Sequence, residues 1–271
     1  MIGISGGLDS AVLAFLGARA IGSDNVQGIF MPDRDTASES YHHAEMVATT
    51  AGIAFEIRDL TSTLSKMGCY QNIIVRFARN EVINRFGFKA FRRVLNKDLY
   101  EFNLKGSKNR FINQAIDSYY LRYRTRMKIL HEESKKPGFI LPDSLNKTEH
   151  KVGFTTYEDI NVDCAPLLSL YKSQVRRLAK HLGVPREIIS KPPSPDLFPG
   201  ITDEIFLDIS YRKLDYILYS LEKGYSKQVI ANEIGINVKK VKRIEHLVLL
   251  ASQINSRLDL PYPELECDQL K

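Results

Sequence analysis

The residues of this chain with the most chemistry crowd its beginning. Gly3, Ser5, Gly6, Gly7, Asp9 and Ser10 stand between an apolar lead-in, Ile2 to Ile4, and a run with helical apolar spacing. That pattern predicts a strand, a phosphate loop and a helix. Gly6 and Gly7 let the backbone curl so that successive N–H groups face one anion, and a helix starting near Ser10 adds its positive end. The Ser5 and Ser10 hydroxyls can donate to phosphate oxygens. Asp9 cannot, since a carboxylate repels phosphate unless a cation lies between them, so the loop implies Mg²⁺ together with a polyphosphate. No Gly-Lys-Ser/Thr follows at P-loop spacing, and G-x-G-x-x-G is absent from this turn.

The elements that must position this loop follow from periodicity. Val26 to Met31 reads as a buried strand, Pro32 to Thr36 as the loop at its carboxyl end, Ser38 to Gly52 as a helix stopped by glycine, and Ala54 to Arg58 as a third strand. Alternating strands and helices predict parallel pairing with right-handed crossovers and a ligand site at the carboxyl ends of the strands. Gly138 to Pro142 is a further predicted strand, and the polar cluster Asp143 to Glu149 after it is a site candidate. Ser173 to Leu182 is a predicted helix. Lys191 to Gly200 is too rich in proline for regular structure. Helices are expected again at Tyr211 to Lys223, Lys227 to Ile234 and Val238 to Gln253, before a loose tail from Arg257.

The expected organisation is a doubly wound, Rossmann-like parallel α/β domain over residues 1–210, with a helical C-terminal part over 211–271. Between Cys69 and Lys136 lysine and arginine far outnumber the acids, and the stretch of about 69–118 is read as a basic helical insert. This segment is either a solvated basic face or a wall that accepts phosphates. Arg122 and Arg126 share a helix face by their spacing, so Arg124 looks elsewhere.

The chain has 271 residues, 44% of them hydrophobic and 26% charged, with a net charge of +6. Those values describe an ordinary soluble α/β protein with a normal core. No membrane span or signal peptide is legible. Cys69, Cys164 and Cys267 are far apart with no C-x-x-C, which argues against a disulfide framework or zinc ribbon and fits a reducing cytoplasm. The positive charge suits a nucleotide, an acidic small molecule or nucleic acid alike.

Several signatures fall in one order: G-x-S-G-G-x-D-S at Gly3 to Ser10, R-x-R-M at Arg124 to Met127, N-K-T-E at Asn146 to Glu149, Asp163, L-Y-K-S-Q-V at Leu170 to Val175, and K-P-P-S-x-D-L-x-P-G-x-T-D-E at Lys191 to Glu204. The chain resembles the ammonia-dependent NAD synthetase family, within the ATP pyrophosphatases of the adenine nucleotide α-hydrolase type. The match runs through most of the chain outside Cys69 to Ser118. The resemblance implies a two-step amide ligation. ATP activates the carboxylate of deamido-NAD as an acyl-adenylate with loss of pyrophosphate, and ammonia displaces AMP. By position, Gly3, Ser5, Gly6, Gly7 and Ser10 correspond to the ATP cradle and Asp9 and Glu149 to Mg²⁺ ligands. Ser144, Lys172 and Ser194 match the ATP side, with Asp9, Lys172 and Ser194 as the catalytic set. Arg124 or Arg126, with Asp163, matches the acid-substrate side. A cytoplasmic homodimer using free ammonia, with no membrane partner, is what the family implies.

Where the family commonly has Gly-Asn before R-x-R, this chain has Tyr119-Tyr120. Its F-T-K-Y-G-D-G loop is here Phe154-Thr155-Thr156-Tyr157-Glu158-Asp159-Ile160, and its late His-Lys pair is replaced around Arg257-Leu258. Only Met1 to Ile4 precede the loop, where family members have a longer lead-in. The ATP half is kept and the acid half altered, so the same chemistry on another carboxylic acid is the alternative. Two other classes compete. Ser226 to Ile244 has the form of a helix-turn-helix, which would suit DNA binding unless Val238, Val241 and Ile244 pack inward. Sulfur transfer to RNA would need a reactive cysteine, and Cys164 beside Asp163 is the one candidate, against its reading as a small buried residue.

Overall fold

A computed structural model describes residues 1–72, 75, 84, 99–105, 110–154, 162–194, 200–255 and 263. Most of the basic insert, Thr155 to Ile160, Pro195 to Pro199, Cys267 and, apart from residue 263, the tail from Arg257 lie outside the described residues.

The sheet is parallel, in the order β1 (Ile2–Gly3), β2 (Gln27–Phe30) and β3 (Ala54–Ile57). Crossovers run through α1 (Leu8–Ile21) and α2 (Ser38–Ala51), and α2 stops on Gly52, whose φ of 68° is left-handed. The expected strand over Gly138 to Pro142 forms only an isolated parallel bridge, Pro142 to Cys164. The physical reason is local: Gly138 has a φ of 88° and Pro142 has no N–H to contribute to a ladder. Backbone bonds still place this segment in the sheet's plane. Asp163 N donates to Leu141 O at 2.9 Å and Asp143 N to Cys164 O at 2.8 Å, while the Met1 amine donates to Ile140 O at 2.7 Å beside β1.

Both faces of the sheet are covered, as side-chain alternation along a strand requires. On one face Ile2, Ile4 and Phe30 pack with Ala11 and Ala14 of α1, Val47 of α2, and Val175 and Ala179 of α7 (Lys172–Leu182). Gly28 keeps this face close, because a Cβ there would lie 2.4 Å from Ile4 Cδ1. On the other face Met1, Ile29 and Met31 meet Leu64 of α3 (Thr61–Lys66) and Leu130 of α5 (Arg110–Ser134). The short helix α4 (Leu99–Lys105) contributes Tyr100 to a second core. That core is built mainly by α10 (Tyr211–Glu222), α11 (Lys227–Glu233) and α12 (Val238–Asn255), joined by Val152 of α6 (Lys147–Val152). Two short helices, α8 (Arg186–Ser190) and α9 (Asp203–Leu207), and a single 3-10 turn at Ser23–Asn25 complete the described elements.

Val241 and Ile244 are wholly buried in the second core and Val238 packs against it, so the apolar face of α12 serves the fold.

Candidate active site

The opening loop folds as its residues require. Gly6 has a φ of 74°, and a Cβ on it would meet Ser40 O at 2.7 Å, so only glycine fits under α2. The loop is then stapled from within. Ser10 Oγ lies 3.0 Å from Ser5 Oγ and accepts from Ser5 N at 3.2 Å, while Gly7 N donates to Ser5 Oγ at 3.2 Å. α1 begins at Leu8, slightly earlier than expected, so the amides of its first turn open onto the hollow that the loop borders.

That hollow, of about 330 Å³, lies at the carboxyl ends of β1 and β2 and is bordered also by Ser144, Glu149, Lys172, Ser194 and Asp203. Its wall includes a buried ion cluster. The Lys172 ammonium, on the first residue of α7, donates to Asp9 Oδ2 through a short contact and to Glu149 Oε1 at 2.8 Å. Lys172 is 3% exposed, so this cluster is screened little by solvent. Burial alone would lower the Lys172 pKa, but Asp9 and Glu149 outweigh it and hold the ammonium above the usual lysine range. Burial pushes the Glu149 carboxyl up, and the Asp9 charge adds to this against the pull of Lys172.

Asn146 sets two members of this cluster. It is the N-cap of α6, where its Oδ1 accepts from Glu149 N at 3.0 Å, and its Nδ2 donates to Asp9 Oδ1 at 2.8 Å. One side chain thereby fixes the start of the helix that carries Glu149 and the rotamer of Asp9.

The opposite wall is a face of α5 bearing Tyr119, Tyr123, Arg126, Met127 and Leu130. Arg126 donates to Met31 O at 2.9 Å and to Asp33 Oδ2 at 2.8 Å. Arg122, on the same face, reaches Asp35 Oδ2 at 2.5 Å and lies 3.9 Å from Asp33. Two members of the basic wall expected here, Arg122 and Arg126, are thus matched by acids of the loop after β2. Asp35 also takes two bonds from Arg34, at 2.8 and 2.9 Å. Burial pushes the Asp35 pKa up, but the Arg34 hydrogen bond and the Arg122 and Arg34 charges bring it below the usual range. A depressed folded pKa means that the unfolded chain binds the proton more tightly. This stabilisation is complete above the ordinary aspartate value of about 3.9 and is lost as pH falls through the folded value. Urea unfolding of Asp35→Asn should therefore show a shallower fall in stability below about pH 4 than the parent. Parallel curves would remove Asp35 from the account.

The fold brings Gly3, Ser5, Gly7, Asp9, Ser10, Ser144, Glu149, Lys172, Ser194 and Arg126 to one hollow, with Gly6 turning beneath it. It does not bring Arg124 or Asp163 there. Arg124 is exposed, and Asp163 is an exposed residue whose Oδ2 accepts from Leu141 N at 2.7 Å. Sequence reasoning assigned no role to Asn146, although Asn-x-x-Glu is a helix-start spacing that marks it. It also assigned no role to Tyr123, which carries no local signal of facing a site, or to Asp203, although the T-D-E of the Lys191 to Glu204 signature contains it. Cys69 is buried and Cys164 half-buried, both with free thiols, and burial raises the Cys164 pKa, the opposite of thiolate activation.

Solved structures share this architecture. The NMN synthetase of Francisella tularensis superposes with a TM-score of 0.65 at 22% identity, over 97% of this chain and 88% of that one. The NH3-dependent NAD synthetase of Campylobacter jejuni superposes at 0.62 and 20%, over 98% and 88%. These likenesses define the fold, a parallel-sheet α/β protein with a glycine loop at the carboxyl ends of its strands. Sequence comparison narrows this. The NAD synthase family model matches residues 1–85 and 80–253. The NH3-dependent NAD(+) synthetase of Thermotoga neapolitana is 36% identical over 246 residues, 90% of this chain and 83% of that protein. The Methanocaldococcus jannaschii protein of the same name is 34% identical over 249 residues, 92% and 83% respectively. The chain belongs to the NAD synthase family.

Proposed function

We propose that this chain is an ATP-dependent amide ligase that makes NAD⁺ from deamido-NAD and ammonia. ATP adenylates the substrate carboxylate with release of pyrophosphate, and ammonia displaces AMP. The observation that carries this is the Lys172 ammonium held between Asp9 and Glu149 beside the glycine loop, in a chain whose relatives bear the name NH3-dependent NAD(+) synthetase.

The residues divide the work by position. The loop from Gly3 to Ser10 holds the phosphates through amides and hydroxyls, and Ser144 and Ser194 offer further hydroxyls from the facing wall. Lys172 sets a fixed positive charge where negative charge builds up on the departing pyrophosphate. It needs no reorganisation to do so, because its carboxylate partners already hold it.

The donor set fits a magnesium ion. Asp9 and Glu149 are hard oxygen donors already converged on one cation, and the three side chains together carry an excess negative charge. Among the described residues no third carboxylate, histidine or cysteine completes an all-protein cage, so phosphate oxygens and water would fill the other positions. When bound, Mg²⁺ would neutralise phosphate oxygens as charge shifts during cleavage.

On the acid side, Arg126 faces the hollow and can meet an anionic group of the substrate. Arg124 and Asp163 serve only a part of the substrate that extends beyond that hollow. A second reading keeps the chemistry and changes the acid, and the bulk of Tyr119 and Tyr123 on the pocket wall favours it. A homodimer in the cytoplasm completes the proposal. The free cysteines support that compartment, and no described helix is long and apolar enough to cross a membrane.

Pyrophosphate release with a panel of carboxylic acids, deamido-NAD first, tests the proposal. Release that depends on deamido-NAD, with NAD⁺ formed when ammonium is added, is the expected result. Release that depends on another acid selects the second reading, and no release with any acid contradicts both.

A further inference from the structure

We infer that Asp215, on α10 of the C-terminal helical part, is a positioning residue that sets Lys172 against Glu149 through Thr148. This rests on the catalytic reading of Lys172 given above. The Asp215 carboxylate is 6% exposed and accepts two bonds. Ser173 N donates to Oδ2 at 2.7 Å, and Thr148 Oγ1 donates to Oδ1 at 2.6 Å. Thr148 Oγ1 in turn accepts from Lys172 N at 2.9 Å.

These bonds satisfy the first two amides of α7, which no intrahelical carbonyl can reach. α7 has a side-chain acceptor at neither position from its own residues, and its Gln174 side chain is engaged with Tyr171 N at 2.8 Å. The start of α7 is therefore capped in trans, by a hydroxyl of α6 and a carboxylate of α10. The consequence is geometric. Thr148 immediately precedes Glu149, and Lys172 immediately precedes Ser173, so the Asp215–Thr148 pair locks the two backbones from which the reactive lysine and its carboxylate partner project. The carboxylate charge at the α7 N-terminus also suits the helix dipole. Through Asp215, the second core at the C-terminal end of the chain becomes part of the catalytic geometry.

Three variants test this: Thr148→Val, which is close in shape but breaks the relay; Thr148→Ser, which keeps it; and Asp215→Asn, which removes one acceptor. Misplacement of a reacting group by about 1 Å costs on the order of 10²-fold in rate. Thr148→Val and Asp215→Asn should therefore lower kcat for pyrophosphate release by roughly ten- to a hundredfold with little change in KM for ATP. Thr148→Ser should recover most of the rate. The double variant should be no worse than the poorer single one, since both break one relay. Hydrogen exchange at the Lys172 and Ser173 amides provides a readout independent of turnover. Both should be slow in the parent, with Lys172 accelerated in Thr148→Val and Ser173 in Asp215→Asn, while later amides of α7 stay protected. Folded variants with the parent's kcat, or with unchanged exchange at both amides, would overturn the inference. A parent that is silent with every acid but shows this exchange pattern would count against the functional reading alone. If Asp215→Asn does not fold, the contrast between Thr148→Val and Thr148→Ser decides.

Discussion

Lys172→Met should lower turnover by about 10²–10³-fold, the effect of removing one preorganised electrostatic partner from a transition state. Met matches the stem and deletes only the charge. The same change should destabilise the fold by about 3–5 kcal/mol at neutral pH, because two buried carboxylates lose their common cation. The pH dependence of that deficit gives its sign. Without the ammonium, the Glu149 carboxyl, already pushed up to about 7 by burial, would rise further. A raised folded pKa means that the native state holds the proton more tightly than the unfolded chain, so the variant regains stability as pH falls toward the ordinary glutamate value of about 4.3. Thermal melts at pH 7 and pH 5 should therefore show the gap to the parent narrowing at the lower pH. A constant gap, or turnover within a few-fold of the parent, would mean that Lys172 is no more than a structural ion.

Asp9→Asn and Glu149→Gln carry the second large effect. Each keeps the size of its side chain and removes one of two negative charges, so the ion cluster loses its excess charge while Lys172 retains a partner. Pyrophosphate release should fall by about 10²-fold in each, with the Mg²⁺ concentration for half-maximal rate moved upward. Melting temperature should change little, since no cation is left unpaired. An unchanged Mg²⁺ requirement in both variants would refute the metal assignment and leave the carboxylates as lysine holders only.

Much of this site was legible before any coordinates. The glycine loop announces itself because the chemistry of backbone amides around an anion demands glycine at Gly6, where the structure finds a left-handed φ and no space for a side chain. The parallel sheet was readable because its strands alternate with helices along the chain, and β1, β2 and β3 pair parallel through α1 and α2. The expected strand at Gly138 to Pro142 failed because hydrophobicity signals burial, whereas a ladder also needs N–H groups and extended φ angles. What could not be read were partnerships at long range. Arg122 and Arg126 looked like free basic charge until the fold set Asp33 and Asp35 against them. Asp215 carries no signal of its own within the helix expected over Tyr211 to Lys223, because its partners Thr148 and Ser173 come from elsewhere in the chain. Short-range spacing records helices and turns, while such contacts depend on where distant elements dock.

The family membership and the ion cluster meet in one chemical event, the attack of a substrate carboxylate on the α-phosphorus of ATP. Following ¹⁸O from a labelled substrate carboxylate tests it most directly. With deamido-NAD labelled at both carboxylate oxygens and ammonium present, one ¹⁸O should appear in AMP and the other stay in the product amide. Label found in pyrophosphate or inorganic phosphate, or AMP formed without label, would contradict the account.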